Sequence, residues 1–495
     1  MNMSQTWASP LAVLLLLSGC ASIQSPPEDL ALKHVSMPDR FTNQKESEDG
    51  DQSLRIAAVE RGWATRFDDE LLISLIKEAW VHNPDLYIAA ARFEESAAML
   101  RVAKSSLYPT IDGLISGSHT NVDNDVRTDD FSVGLGVSWE VDLWGRLGSD
   151  RAAALRTAES AGLDYVQARY SIAASVAEAY FTVVTGQLQV EIDLALLEAE
   201  RFTAKTTSQR VGAGLGTTQD SDLAESSVLL AQATLRADQA ALGDAKRALE
   251  LLVGRYPEAE ISAATYVLPS LEVSLFDVGV PSELLERRPD VQSAELLVDA
   301  AFHDIESARA ARLPSLTLSA SALGSFDPSE LVSSIAADIV APIFQGGRLE
   351  AQEAAANARQ RQVIGEFASV ALQAFSEVET ALANSAYLSE RETQLAEASR
   401  LLKRASESAV SRYDQGLMTI LELQQIRRQD FETRSLLLGV QFERVRQLLN
   451  LDLALGGPPI LSESESDQNR GGQFDSPQKT SLTGELDVGI RTSDR

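Results

Sequence analysis

Apolar residues recur along the chain with two periods, one typical of strands and one typical of long helices. Between residues 131 and 143 the intervening positions are glycine, serine or acidic, and every second residue is apolar: Phe131, Val133, Leu135, Val137, Trp139, Val141 and Leu143. This alternation predicts a β-strand with one apolar face and one polar face. A glycine-rich partner strand is expected at 109–118, with the polar span 119–130 as the hairpin loop.

The longer period begins directly after this hairpin. Residues 147–211 are rich in good helix formers, and no proline occurs between Thr110 and Tyr256. Apolar positions alternate in steps of three and four, the spacing of a coiled coil: Leu163, Val166, Tyr170, Ala173, Ala177, Tyr180 and Val184. The pattern predicts one helix roughly 100 Å long.

The same order of elements is written twice. Pro84-Asp85 recurs 205 residues later as Pro289-Asp290, and Gly145-Arg146 recurs 202 residues later as Gly347-Arg348. The second copy therefore predicts strands at 314–323 and 335–344 and a second long helix over 349–413. A duplication of this length indicates one structural unit used twice around a pseudo-twofold axis.

Each long helix ends in a short break that starts a second helix. Gly214 and Gly416 stand where a helix C-terminus needs a left-handed residue, and Thr217 and Thr419 stand where the next helix needs an N-cap. Each repeat therefore predicts a helical hairpin with a tight tip. Apolar residues at this exposed end suggest a protein partner, although capping alone explains the glycines: Leu215, Leu417 and Met418.

The first 20 residues have the pattern of a lipoprotein leader. Residues 2–19 carry no charge, residues 11–17 are an apolar run, and Cys20 is the only cysteine of the chain. The stretch resembles a bacterial lipobox, which predicts a signal peptide at 1–19, lipidation of Cys20 and a tether over 20–61. The alternative is an ordinary leader with an incidental cysteine.

Composition excludes several functions. The chain has 43 Lys and Arg against 72 Asp and Glu, a net charge of −29, which argues against nucleic acid as a partner. Its four histidines lack metal-ligand spacing, and neither a nucleophile motif nor a phosphate loop occurs. We therefore predict no enzyme activity, no cofactor and no metal site.

A membrane crossing, if there is one, must use the strands. No stretch beyond the leader approaches 18 consecutive apolar residues. Four strands cannot close a barrel, and open strand edges are not tolerated in lipid, so the chain must oligomerise. Two copies would supply eight strands, and three would supply twelve with room for a lumen.

These features together resemble the TolC-like outer membrane efflux protein family, and within it the lipoprotein outer membrane factors of RND-type pumps. Its most specific elements are Arg288-Pro289-Asp290, Trp144-Gly145-Arg146, Gly347-Arg348 and the Arg-x-x-x-Gly-x-x-Thr tips. The resemblance implies a mainly α fold with a small β part. It also implies a homotrimer in which a 12-stranded outer-membrane barrel continues into a periplasmic α-helical barrel.

The resemblance also implies site residues at the tips. Glu422, Gln425 and, from the first repeat, Asp220 would form the pore constriction, although exposed helix-surface acids explain the carboxylates equally well. A latch that holds the channel shut would comprise Tyr413, Arg412 and Arg210, with Asp220 as the expected acceptor. A periplasmic adaptor would dock on Gly214, Leu215, Thr217, Gly416, Leu417, Met418 and Thr419.

The predicted organisation places repeat 1 at 62–254, an inter-repeat segment at 255–281, repeat 2 at 282–456 and a polar tail at 457–495. The expected function is the exit duct of a tripartite efflux system, lipid-anchored in the outer membrane, which passively exports drugs or small toxic molecules delivered by an adaptor and an inner-membrane RND-type transporter. One alternative is the outer-membrane component of type I protein secretion. Another, of a different class, is a periplasmic coiled-coil scaffold without a pore.

Overall fold

The computed structural model describes residues 40–41, 62–122, 126–263, 267–269, 281–325 and 331–458. The predicted lipidation site Cys20, most of the tether, part of the inter-repeat segment and the tail beyond residue 458 lie outside these ranges.

Repeat 1 is mostly helical. A 3-10 helix (Trp63–Phe67) precedes α1 (Glu70–His82), α2 (Pro84–Ser105), strands β1 (Thr110–Val122) and β2 (Val126–Val141), and helices α3 (Arg146–Gly212) and α4 (Thr218–Val253). Repeat 2 has the same order: α5 (Pro281–Arg287), α6 (Pro289–Ala310), β3 (Ser315–Ser325), β4 (Leu331–Val340), α7 (Arg348–Asp414) and α8 (Ile420–Ala454).

The predicted hairpin loop 119–130 was wrong, because β1 continues to Val122, β2 begins at Val126, and residues 118–122 pair with 126–130. Two further strand boundaries differ from the sequence prediction for identifiable reasons. β2 ends at Val141, two residues early, because the Asp142 carboxylate accepts hydrogen bonds from the N–H groups of Leu147 (3.1 Å) and Gly148 (2.8 Å) and so caps α3. β4 spans residues 331–340 and not 335–344. Pro342 has no N–H to donate to a neighbouring strand, so pairing stops before it.

The four strands form one antiparallel sheet in the order β1-β2-β3-β4. The register pairs Val137 with Ile111 on one side and with Ala320 on the other, and Ala320 pairs with Ile335. Most of the alternating apolar positions of the four strands therefore share one face. Ser116 and Ser132, hydrogen bonded at 2.7 Å, lie on the opposite, polar face. In the single chain, β1 and β4 are sheet edges.

The largest apolar core lies beside the middle of α3. Four residues of the predicted helical stripe are fully buried there: Ala173, Ala177, Tyr180 and Val184. They pack against α1, the C-terminal end of α4 and the C-terminal half of α8. The Trp63 side chain joins the same core, and the backbone N–H of Trp63 donates to the carbonyl of Pro458 at 3.2 Å. The first and last described residues of the two repeats therefore meet.

Within the described ranges, none of the helices combines the length and apolarity needed to cross a bilayer.

Candidate functional site

The two hairpin tips share one backbone design. Gly214 and Gly416 adopt φ angles of 76° and 75°, a left-handed conformation that glycine enters without strain. The following residue then bonds back to the helix, with Leu215 N–H donating to the Arg210 carbonyl at 2.8 Å and Leu417 N–H donating to the Arg412 carbonyl at 2.9 Å. These are paired helix C-caps that turn the chain within a few residues.

The tip carboxylates close a capping box at the start of the second helix of each hairpin. One Asp220 oxygen accepts hydrogen bonds from the Thr217 N–H and hydroxyl, both at 2.9 Å. One Glu422 oxygen accepts from the Thr419 N–H at 2.9 Å and from its hydroxyl at 2.8 Å. The backbone N–H of each threonine, assisted by its hydroxyl, lowers the pKa of each carboxyl below its usual value.

Glu422 and Asp220 are therefore ionised and held by the cap, and both remain at the exposed end of the hairpins. Gln425 is exposed one turn further along α8. In the described part of the chain, no group of three or more His, Cys, Asp or Glu side chains is arranged to hold a metal ion.

Tyr413 joins the two tips. Its side chain is only 5% exposed, and its hydroxyl lies 2.6 Å from that of Thr207 on α3. Arg210 donates to the Tyr413 carbonyl at 2.6 Å and stacks over its ring, with the guanidinium carbon 4.9 Å from the ring centroid. The second hairpin is thus fastened to the first.

Within the described chain, Tyr413 bonds to a residue other than Asp220, the expected acceptor for this latch. Asp220 accepts hydrogen bonds from Thr217, and the Tyr413 hydroxyl is hydrogen bonded to that of Thr207. The Arg412 side chain is exposed and makes no hydrogen bond or ion pair with the described residues. Repeat comparison could not have found Thr207, because Ala409 stands at its equivalent position in the second copy.

The end surface of the tips is apolar. Leu215 and Leu417 are 71% and 72% exposed, and Leu421, which the sequence reading missed, is exposed beside them. Met418 is instead half-buried against the cluster around Tyr413. A cavity of about 410 Å³ lies between the tips and is lined by both, including Arg210, Tyr413 and Glu422.

A second set of equivalent contacts lies where the shorter helices meet the ends of the hairpins. Asn83, just before the first Pro-Asp, donates from its amide to the Leu252 carbonyl at 2.8 Å. Arg288, just before the second, donates to the Ala454 carbonyl at 3.2 Å and pairs with Glu377 at 2.6 Å. The repeated motif therefore joins α2 to α4 and α6 to α8 at equivalent places.

Known proteins share this architecture over nearly the whole chain. The outer membrane efflux protein family matches residues 75–255 and 280–457. The cation efflux system protein CusC of Escherichia coli is 29% identical over 461 residues, 90% of this chain and 98% of CusC. The toluene efflux pump outer membrane protein TtgI of Pseudomonas putida is 29% identical over 473 residues, 92% of this chain and 99% of TtgI.

Solved structures agree with the sequence relatives. A crystal structure of CusC superposes with a TM-score of 0.76 at 26% identity and covers 88% of this chain and 98% of CusC. The open state of the MtrE outer membrane channel of Neisseria gonorrhoeae gives 0.77 at 27% identity, covering 88% of this chain and 97% of MtrE. The family matches both repeats of this chain, and each repeat forms a helical hairpin. The chain therefore belongs to the outer membrane efflux protein family and is an outer-membrane channel component of an efflux system.

Proposed function

We propose that three copies assemble into a twelve-stranded barrel, three times the four strands of one chain, that continues into a periplasmic barrel of helices. The edges β1 and β4 offer unpaired backbone groups to neighbouring copies, and closure removes every edge. Each hairpin of strands leads directly into a long helix, from β2 to α3 and from β4 to α7. The two-faced sheet, apolar on one side and polar on the other, carries this proposal.

The hairpin tips would form the narrow periplasmic end of the duct. Three copies of Glu422 near the axis would set a ring of negative charge, with Gln425 one turn above and Asp220 on the neighbouring hairpins. The Tyr413 contacts with Thr207 and Arg210 would hold the tips together in the resting channel.

The exposed leucines of the tips would receive a periplasmic adaptor. Leu215, Leu417 and Leu421 are large apolar side chains at the extreme end of the molecule, where an isolated protein gains nothing from exposing them. The adaptor would connect the channel to an inner-membrane RND-type transporter, which supplies the energy while this chain conducts passively.

A lipid anchor at Cys20 is compatible with the position of Phe41. Phe41 is buried in a cluster with Ala374 and Val378 of α7. These residues lie about 30 positions below the start of α7, roughly 45 Å from the sheet. The 21 residues that lead from Cys20 to Phe41 can reach about 70 Å when extended, enough to return to the membrane.

The exported compounds would be small toxic molecules. The names of the relatives mention cations, toluene, solvents and pyoverdine, which favours small-molecule efflux over protein secretion.

A strain that lacks this chain tests the function. It should retain several-fold more of a fluorescent pump substrate than its parent, with an unchanged profile of secreted proteins. The defect should be reversed by the intact gene. Loss of one secreted protein with normal dye retention would instead assign the chain to type I secretion. If dye retention and the secreted proteins both stay as in the parent, a role as an exit duct is contradicted.

Purified protein in planar bilayers tests the latch. Tyr413→Phe removes one hydroxyl at the tip, so we expect about a fivefold rise in resting ion conductance from one lost hydrogen bond. Tyr387→Phe removes a hydroxyl from an exposed tyrosine of the same helix and should match the parent. Equal conductance of the Tyr413 variant and the parent would reject the latch.

A further inference from the structure

The contact between the two helical hairpins, α3 against α8, changes character along its length. The upper part of this contact is the part nearer the sheet, and the lower part is nearer the tips. In the upper part, Leu438, Val445 and Leu449 of α8 share the large apolar core with residues 173–184 of α3. Below Leu438, towards the tips, hydrogen bonds join the two hairpins. The Gln189 amide donates to the Ser435 hydroxyl at 3.0 Å, and further down Arg427 reaches across to α3.

Each hairpin holds together internally by apolar contacts at these same levels. Leu197, Ala231 and Leu235 pack between α3 and α4, and Ile420 and Leu423 pack with Tyr413 between α8 and α7. Polar contacts can exchange protein partners for water at little net cost, whereas apolar ones cannot. Below Leu438, therefore, parting the two hairpins would break these hydrogen bonds and leave the apolar contacts within each hairpin in place.

Arg427 makes a charged connection between α8 and α3 below Leu438. Its side chain is 6% exposed, and it donates through Nη1 to the Ala199 carbonyl at 2.8 Å and to the Thr203 hydroxyl, both on α3. Hydrogen bonds from a charged donor are stronger than neutral ones, and a buried guanidinium is costly without them.

A buried acid accompanies this arginine. Glu200 on α3 is 5% exposed, and its Oε2 has no hydrogen-bond partner among the described residues. Burial raises the pKa of Glu200, and the nearby charges of Arg427 and Arg428 oppose that rise. The acid and the arginine thus depend on each other electrostatically across the two hairpins.

The first repeat has no equivalent. Its residue at the corresponding position is Glu225, which is exposed. Arg427 is therefore specific to the contact between the hairpins and is not a feature of the duplicated design.

We propose that Arg427 is a positioning residue for gating, which fastens the second hairpin to the first above the tip and must release α3 when the channel opens. This inference rests on the proposed channel function. The upper apolar contacts act as the fixed end, and the aperture depends on Arg427 as well as on Tyr413.

Resting conductance of the purified full-length protein in planar bilayers tests the proposal. Arg427→Met should raise it on the order of tenfold, because a buried charged hydrogen-bond donor is lost. Arg428→Met removes the same charge from the next, exposed position and should match the parent. Thr203→Val keeps the side-chain volume, removes the acceptor and should give a smaller rise.

A second variant separates gating from stability. Arg427→Met leaves Glu200 buried without its cation, so the unfolding temperature should fall. Arg427→Met combined with Glu200→Gln should recover much of that temperature while the conductance stays high, because the contacts with Ala199 and Thr203 are still missing. If Arg427→Met alone does not fold, the conductance of the double variant still tests whether Arg427 holds the hairpins together.

The outcomes distinguish this inference from the channel function. If the parent forms channels but the Arg427 variants conduct as the parent does, Arg427 does not gate and only this inference fails. If Arg428→Met raises the resting conductance as much as Arg427→Met does, the effect comes from the lost charge and the inference also fails. If the parent forms no channels, the proposed function fails first.

Discussion

Val211 and Tyr413 occupy the same place in the two hairpins, and only Tyr413 carries a hydroxyl that can hydrogen bond to the other hairpin. Val211 contacts its own tip, where a methyl group lies 3.1 Å from the position that a side chain at Gly216 would take. Tyr413 instead contacts Thr207 and Arg210 of the first hairpin. The glycine turns and threonine caps are the same in both tips, so the backbone design was copied while the side chains that join the copies were not.

The opposite ends of the hairpins differ in the same way. Glu250 near the end of α4 and Asp452 near the end of α8 are equivalent, and both are buried. Burial raises the pKa of Glu250, but hydrogen bonds from the N–H groups of Ala259, Ile261 and Glu260 outweigh it, so the net pKa is lowered. Burial raises the pKa of Asp452 to about 7 against the opposing charge of Arg66, 2.5 Å away.

These differences suggest that each copy keeps its own backbone contacts and adapts its buried polar groups to different neighbours. Glu250 ties down the chain that follows α4, whereas Asp452 receives Arg66 from the start of the described body. The copies can be compared most directly by making the same change in both.

The largest difference is expected at the glycines that end α4 and α8. Gly254 has φ 82°, and an added Cβ would lie 2.5 Å from the His82 carbonyl oxygen, whereas at Gly456 (φ 72°) the nearest atom, the Arg287 carbonyl oxygen, is 3.0 Å away. Gly254→Ala should therefore destabilise by about 3 kcal/mol and Gly456→Ala by about half that. The unfolding temperatures of the two variants show which substitution destabilises more. A larger loss for Gly456→Ala would show that the end of α8 is packed more tightly than the end of α4.

The buried carboxylates should respond to pH in opposite directions. Glu250, with a lowered pKa, contributes stability that is present above its unfolded pKa and lost as the pH falls. Asp452, with a raised pKa, contributes stability that is present below its unfolded pKa and lost as the pH rises through about 7.

Thermal unfolding of Glu250→Gln and Asp452→Asn against the parent, from about pH 4 to about pH 8, tests these signs. The penalty of Glu250→Gln should grow with pH, and that of Asp452→Asn should shrink by on the order of 2 kcal/mol. Parallel curves for the two variants would contradict the opposite environments of the two acids.

The smallest effect is expected at the caps. Thr217→Ala and Thr419→Ala should each speed amide exchange in the first turn of α4 and of α8 by about fivefold, because each removes one capping hydrogen bond. Thr217→Ser and Thr419→Ser keep the hydroxyl and serve as matched controls. Equal protection in the alanine and serine variants would mean that packing, and not the cap, holds the tips. The pKa of Glu422 should rise in Thr419→Ala, which nuclear magnetic resonance titration can follow.

Local patterns predicted much of the helical part of the fold. The proline-free stretches and the spacing of apolar residues placed α3 and α7 within a residue of their observed starts. The Gly-Thr tips were placed correctly as well, because left-handed turns and N-caps depend on single residues. The fourth strand was misplaced because its apolar run continues past Pro342, where strand pairing cannot.

The sequence alone determined the duplication, the alternation of the sheet and the helical hairpins, since each depends on residues close together in the chain or on comparison of the two copies. Only the tertiary structure decided which side chains join the copies. Thr207, Arg427 and Glu200 have no equivalent in the other repeat and carry no local signal. Their roles arise from the way α7 and α8 pack against α3, more than 200 residues away in the chain, where burial makes each polar group depend on the partner it meets.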